Sequence, residues 1–156
     1  MAVNPRPTPT AITAMKPADL DDVVGIERLS FRRPWSRQMF AEELGRQWAH
    51  VDVLREDGEP RVVGFINYWL VRDEIHILNL ATHPDCRRRS YGAQLLLHVI
   101  EFARRHDCRY LTLEVRRSNH AALRLYRRYG FRQVGVRPKY YVEDNEDAIV
   151  MLLELW

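Results

Sequence analysis

Asn79-Leu80-Ala81-Thr82-His83-Pro84-Asp85-Cys86-Arg87-Arg88-Arg89-Ser90-Tyr91-Gly92-Ala93 is where an apolar run ends, a basic turn follows and an amphipathic stretch begins. Strand, basic turn and helix start, in that order, suit an anion. The first turn of a helix has backbone N–H groups with no partner inside the helix, together with the positive end of the macrodipole. A phosphate is held there without a buried side-chain charge. Gly92 permits close backbone approach, and Arg87, Arg88 and Arg89 add positive potential. On this turn alone, a charged surface loop ahead of an ordinary helix is an equally good reading.

Downstream, Leu95, Leu96, Val99, Ile100 and Ala103 recur at helical spacing and predict a helix from 90 to about 106. Residues 109–115 alternate, with Leu111, Leu113 and Val115 on one side and Thr112 and Glu114 on the other, as a strand does. Asn119 is placed to cap a further helix carrying Ala122, Leu125, Tyr126 and Tyr129, which Gly130 ends. Residues 131–136 and 148–155 read as a closing strand pair. The loop expected between them carries Glu143, Asp144, Glu146 and Asp147.

Upstream, residues 51–54, an Asp57-Gly58 turn and residues 62–70 form a hairpin, and a third antiparallel strand over 74–81 follows a turn at Arg72-Asp73. That strand alternates at first and loses its alternation near Leu78, as a β-bulge would produce. Nearer the start, residues 11–15 make a short strand. Pro17 opens a helix whose stripe holds Leu20, Val23, Val24, Ile26, Glu27 and Leu29. Ser36 caps a second helix in which Met39, Phe40 and Leu44 share a face. Between the two lies Phe31-Arg32-Arg33-Pro34-Trp35, either a buried staple or a binding wall. Residues 1–10, with three prolines among small polar residues, read as a flexible leader, and residues 11–156 as one domain.

A chain of 156 residues is long enough to bury roughly two-thirds of its unfolded surface without staples. Apolar content of 46% and charged content of 29% belong to a globular protein, and the net charge of +3 is modest. Cys86 and Cys108 are too few for a disulfide framework or a zinc site, and no His/Cys/Asp cluster has ligand spacing, so no metal is expected. No secretory leader is recognisable and no apolar run approaches the roughly 18 residues of a membrane span, so a cytoplasmic home and no membrane partner are expected.

Arg87-Arg88-Arg89-Ser90-Tyr91-Gly92 resembles the Gln/Arg-x-x-Gly-x-Gly/Ala pyrophosphate loop of the GNAT family of N-acetyltransferases. Leu113-Glu114-Val115-Arg116-Arg117-Ser118-Asn119, then Ala121-Ala122-Leu123, Leu125-Tyr126 and Tyr129-Gly130-Phe131 follow the later part of that fold in order. The likeness is strongest to the branch that acetylates protein N-termini, and it runs from about 12 to 155. It implies an α/β architecture, a twisted mixed sheet of about seven strands with helices on both faces. One departure stands out: Ser90 occupies the family's first glycine. Its Cβ means the turn must avoid φ > 0 or accept strain.

The implied reaction carries an acetyl group from acetyl-CoA to an amine. An N-terminal amine has a pKa near roughly 8, so only a weak base is needed. Glu114, mid-strand among apolar neighbours, is expected to have its pKa raised by low dielectric. By resemblance, Glu114 is the proton acceptor, acting through a water, and Tyr126 the donor to the coenzyme sulfur. The resemblance further assigns coenzyme contacts to Leu80, Ala81 and Thr82 through their backbone, to the turn from Arg87 to Ala93, including Tyr91 and Gly92, and to Asn119. Each of the three polar side chains has an ordinary reading too: a solvated or arginine-paired Glu, a core Tyr, a helix cap. An uncommitted N–H at the expected bulge, near Leu80, is a candidate donor to the oxyanion. His76, His83 and His98 are the other bases; His83 and His98 read as scaffold or surface.

Phe31 and Trp35, by the same resemblance, line the acceptor channel, and Tyr140 and Tyr141 bond the acceptor's backbone. The acidic residues after them suit a basic N-terminal segment. The resemblance implies as partner the N-terminal segment of a protein, a ribosomal protein beginning with alanine. Two other readings stand beside it. One is the same chemistry on a lysine side chain or a small amine. The other is a basic RNA-binding or ribosome-binding module using Arg104, Arg105, Arg116, Arg117, Arg127 and Arg128, although these are spread over several faces and no specific nucleic acid is expected.

Overall fold

The computed structural model describes residues 8–156. The leader expected over 1–10 lies outside the described residues up to 7, and Thr10 already belongs to a strand. In chain order the elements are β1 (Thr10–Ala14), a 3-10 turn (Pro17–Asp19), α1 (Leu20–Ser30), α2 (Arg37–Glu43), β2 (Ala49–Glu56), β3 (Val62–Val71) and β4 (Glu74–Thr82). A second 3-10 turn (Pro84–Cys86) leads to α3 (Tyr91–Arg105), β5 (Tyr110–Arg116), α4 (His120–Arg128), β6 (Arg132–Tyr141) and β7 (Glu146–Glu154). The seven strands form one mixed sheet in the order β1-β2-β3-β4-β5-β7-β6. β4 and β5 are parallel, while β1/β2, β5/β7 and β6/β7 are antiparallel.

By packing, the chain divides into two compact units: the chain up to Asn67 with Asn79–Leu96, and Tyr68–Leu78 with Leu97–Trp156. In the first, Leu20, Val23, Val24 and Ile26 of α1 are buried with Phe40, Val51, Val53, Val62 and Phe65, and Phe31 and Trp35 pack against this core. Leu29 is 59% exposed, against expectation. Nine residues after Leu20 at about 100° per residue, it has come round to the opposite side of the helix. In α2 Phe40 and Glu43 are buried, whereas Met39 and Leu44 are exposed. The helix has just seven residues and Leu44 is already its C-cap, so a single apolar side chain reaches the core. Ser36 caps it as expected, accepting from the Met39 N–H at 3.2 Å.

β4 shows why its apolar pattern falters. Burial alternates from Glu74 to Thr82 without a skipped position: Ile75, Ile77, Asn79 and Ala81 point inward. The apolar pattern falters at Leu78 because a polar residue, Asn79, holds an inward position. Gly64 of β3 explains how closely its neighbours approach. A Cβ at this position would stand 3.2 Å from Leu95 Cδ1 and 3.3 Å from the Ala81 carbonyl oxygen.

In the second unit Leu111, Leu113 and Val115 of β5 are buried in alternation. The parallel ladder pairs Glu74 with Tyr110 through Ile77 with Leu113. Asn119 caps α4, its Oδ1 accepting from the Ala122 N–H at 3.2 Å, and Gly130 with φ 96° ends it. β6 runs on past the expected residue 136 to Tyr141. A register shift between Arg137 and Tyr141, with Lys139 at φ 51°, absorbs the extra residues. Pro138 is tolerated because proline sits well on an edge strand or at a bulge. Pro138 to Tyr141 are therefore strand residues, and Glu146 and Asp147 belong to β7 rather than to the loop.

Candidate active-site groups

The turn ahead of α3 takes the strained alternative. Arg88 and Ser90 have φ of 65° and 63°, the left-handed region that costs a side chain on the order of 1 kcal/mol. Alternating backbone hand of this kind turns successive amides toward a common side, which is how backbone alone gathers donors for an anion. The Gln94 N–H donates to the Ser90 carbonyl at 3.0 Å, so the helix is engaged from Ser90 onward.

The arginines are not equivalent. Arg89 Nη1 donates to Glu56 Oε2 at 2.8 Å, and the buried Tyr91 donates its hydroxyl to the same oxygen at 2.6 Å. The Tyr91 bond, with Arg89 beside it, holds the Glu56 carboxyl below its usual range. Arg89 thus anchors the turn to β2, and Arg87 and Arg88 stand exposed beside it.

Phe31 and Trp35 are half-buried against the α1 core, and the Trp35 ring lies 5.2 Å from that of Phe40. The staple reading of this loop is therefore true in part, and each aromatic keeps an exposed portion.

The acid–base groups of the second unit are Glu114, His76 and Tyr126. His76 Nε2 and Glu114 Oε2 are 2.7 Å apart, and Arg137 Nη2 lies 3.4 Å from Glu114 Oε1. The His76 hydrogen bond, outweighing desolvation, pulls the Glu114 carboxyl below its ordinary value, opposite to the rise expected from its apolar flanks. Glu114 is accordingly an ionised carboxylate that orients an imidazole. The arginine partner is Arg137. Tyr126 is buried, and burial, helped by the nearby Tyr141, pushes its phenol far above its usual range. It therefore stays protonated, and able to donate a hydrogen bond, at neutral pH. Asn119 is exposed, with its carbonyl oxygen taken by the cap.

Tyr140 and Tyr141 stand edge to face, centroids 5.2 Å apart, and the Arg116 guanidinium lies 3.9 Å over the Tyr141 ring. The acidic residues near them are committed within the chain. Arg116 pairs with Asp144 at 2.7 Å and Arg117 with Asp147 at 3.2 Å. Glu146 Oε1 accepts from the Ser118 N–H at 3.0 Å, and Asp147 Oδ1 from the Lys139 N–H at 2.9 Å. These carboxylates hold the β6–β7 end in shape, which weakens their expected role as an attractor of basic segments. The same pairs occupy two of the six arginines an RNA-binding reading would use.

Sequence reasoning names His76 only as one of the other bases and does not pair it with Glu114, because that nearness depends on the parallel β4/β5 register, in which His76 pairs with Thr112. It also passed over Glu27 and Asn79, both buried. Their signal was visible as a polar residue inside an apolar stripe on α1 and another on β4. Among the described residues no group of His, Cys, Asp and Glu is arranged to hold a metal ion, and no helix is long and apolar enough to cross a membrane.

A family model described as the acetyltransferase (GNAT) family matches residues 20–131. A putative ribosomal protein bS18-alanine N-acetyltransferase of Bacillus subtilis is 38% identical over 145 residues, covering 92% of this chain and 95% of its own. The ribosomal protein bS18-alanine N-acetyltransferase of Escherichia coli K12 is 34% identical over 146 residues, covering 92% and 97%. A crystal structure of the Escherichia coli ribosomal-protein-S18-alanine N-acetyltransferase superposes with a TM-score of 0.85 at 32% identity over 94% of both chains.

Proposed function

The chain belongs to the acetyltransferase (GNAT) family, and on that footing we propose that it moves the acetyl group of acetyl-CoA to the N-terminal α-amine of a protein, a ribosomal protein beginning with alanine. The observation that carries this reading is the extent of the likeness to relatives named for that reaction, which takes in the α3 turn, β5, α4 and the β6–β7 strands together. We read residues 11–156 as one acetyltransferase domain working in the cytoplasm.

In this reading the α3 turn holds the coenzyme's diphosphate. The amides at the helix opening point to it, Arg87 and Arg88 supply charge, and Arg89 fixes the turn through Glu56. The backbone of Leu80, Ala81 and Thr82 takes the pantetheine arm, with the Leu80 N–H as the oxyanion donor. Asn119 presents its side-chain amide to the coenzyme.

The amine arrives partly neutral and loses its proton as it attacks the thioester carbonyl. A carboxylate with a lowered pKa is by itself a weak base. We therefore assign the proton to the His76–Glu114 pair acting together, the imidazole accepting and the carboxylate stabilising the cation that forms. Tyr126 donates a hydrogen bond to the departing sulfur and so stabilises the developing thiolate. Phe31 and Trp35 form the acceptor's wall, and Tyr140 and Tyr141 bond its backbone.

Incubating the protein with acetyl-CoA and a panel of peptides differing only in their first residue tests the reading. An alanine-initiated, bS18-like peptide is expected to turn over fastest. Equal turnover of free lysine or of small amines would overturn the assignment to protein N-termini.

A further inference from the structure

Glu27 lies on the inward face of α1, only 1% exposed, where a leucine would continue the stripe of Leu20, Val23 and Val24. A carboxylate there costs desolvation that an apolar side chain avoids, so stability alone does not account for it. Its bonds say what it does instead. The Glu27 carbonyl accepts from the Phe31 N–H at 3.0 Å, and Glu27 Oε2 accepts from the Trp35 N–H at 2.9 Å. One residue thus closes both ends of the Phe31 to Trp35 loop.

The same carboxylate faces β4. Asn79 Nδ2 donates to Glu27 Oε1 and Oε2, both at 3.0 Å, and Asn79 Oδ1 accepts from Asn67 Nδ2 on β3 at 3.3 Å. The relay ends at Asn67 Oδ1, a buried atom with no hydrogen-bond partner. Asn79 directly precedes Leu80, the first of the residues assigned to the coenzyme. Burial lifts the Glu27 carboxyl above its ordinary value, while the Trp35 and Asn79 bonds oppose that rise.

We propose that Glu27 is a positioning residue for the acceptor: through Trp35 and Asn79 it locks the acceptor loop in register with the strand that carries the acyl donor. The proposal rests on the reading of that loop as the acceptor's wall. The carboxylate touches neither substrate. It sets where Phe31 and Trp35 stand when the amine arrives, and small errors in such placement are costly to an attack that needs aligned atoms.

The relay makes an unusual distinction between two substitutions. In Glu27→Gln, Oε1 still accepts from Trp35 while Nε2 donates to Asn79 Oδ1, provided both asparagine amides turn over. Asn79 Nδ2 then reaches Asn67 Oδ1, the atom that lacked a donor. Glu27→Met fills the same space with no acceptor, leaving the Trp35 and Asn79 donors unpaired.

Steady-state kinetics on the full-length variants, with acetyl-CoA affinity measured separately by calorimetry, tests this. Glu27→Met is expected to raise the peptide KM by about tenfold or more, as for a lost hydrogen bond to a charged group, with acetyl-CoA affinity little changed. Glu27→Gln is expected to restore the KM to within about twofold of wild type. An unchanged KM per folded molecule in Glu27→Met, or a Gln variant as impaired as Met, overturns the proposal. Should Glu27→Met not fold, amide exchange on the wild-type enzyme decides: the Trp35 amide must be strongly protected, and rapid exchange there removes the clamp. Failure of the acetyltransfer reading looks different, since the wild type would then leave every peptide unmodified while Trp35 stayed protected.

Discussion

At the scale of single residues, environment decides what each chemical group does. Glu114 shows it best, because its strand neighbours suggest an acid with a raised pKa and its actual contacts make it a lowered one. A carboxyl whose pKa falls on folding contributes stability above its ordinary value, 4.5, and loses that contribution as pH drops through the lower folded value. Glu114→Gln is therefore expected to melt below wild type at pH 7 by roughly 1 kcal/mol equivalent, with the gap closing in acid. Thermal melts across pH check this, and a gap that widens in acid would contradict it. The same variant should lose at least about tenfold in turnover if the pair handles the proton. Ser90 is the other case. Glycine there relieves about 1 kcal/mol of left-handed strain, offset in part by its greater freedom when unfolded. Ser90→Gly should keep or raise the melting temperature and bind acetyl-CoA at least as well, whereas clearly weaker binding would mean the serine side chain takes part.

At the scale of elements, β4 and β6 mark the limits of legibility. Helical and strand periods placed α1, α3, β5 and α4 to within a few residues, and the caps at Ser36, Asn119 and Gly130 act as their residue types suggest. The apolar pattern is interrupted where a polar residue faces inward, as Asn79 does on β4, and it misled where a bulge lengthens a strand past a proline, as on β6. Periodicity also carries no record of which strands lie side by side. The His76–Glu114 contact, which exists only through the parallel register, could not be read from spacing. Gly64 gives an element-scale test, since its missing Cβ is what lets the Ala81 carbonyl and Leu95 come so near. Gly64→Ala should destabilise the fold by about 1–3 kcal/mol through overpacking. Calorimetric melts measure it, and an unchanged or higher melting temperature would show that these neighbours yield freely.

At the scale of the molecule, the spaced motifs from the α3 turn to Phe131 fixed the family where no single motif would have. The catalytic assignment is less secure from sequence, because a lone Glu, Tyr or Asn has an ordinary structural use and only its partners tell which applies. Arg116 and Arg117 are tied to Asp144 and Asp147, which takes two arginines away from a nucleic-acid reading. The central claim is that the acetyl group ends on an α-amine. Tandem mass spectrometry of an alanine-initiated peptide that also carries an internal lysine, after incubation with the protein and acetyl-CoA, tests this most directly. A single acetyl group on the first residue is expected. An acetyl group on the lysine, or none at all, would contradict it.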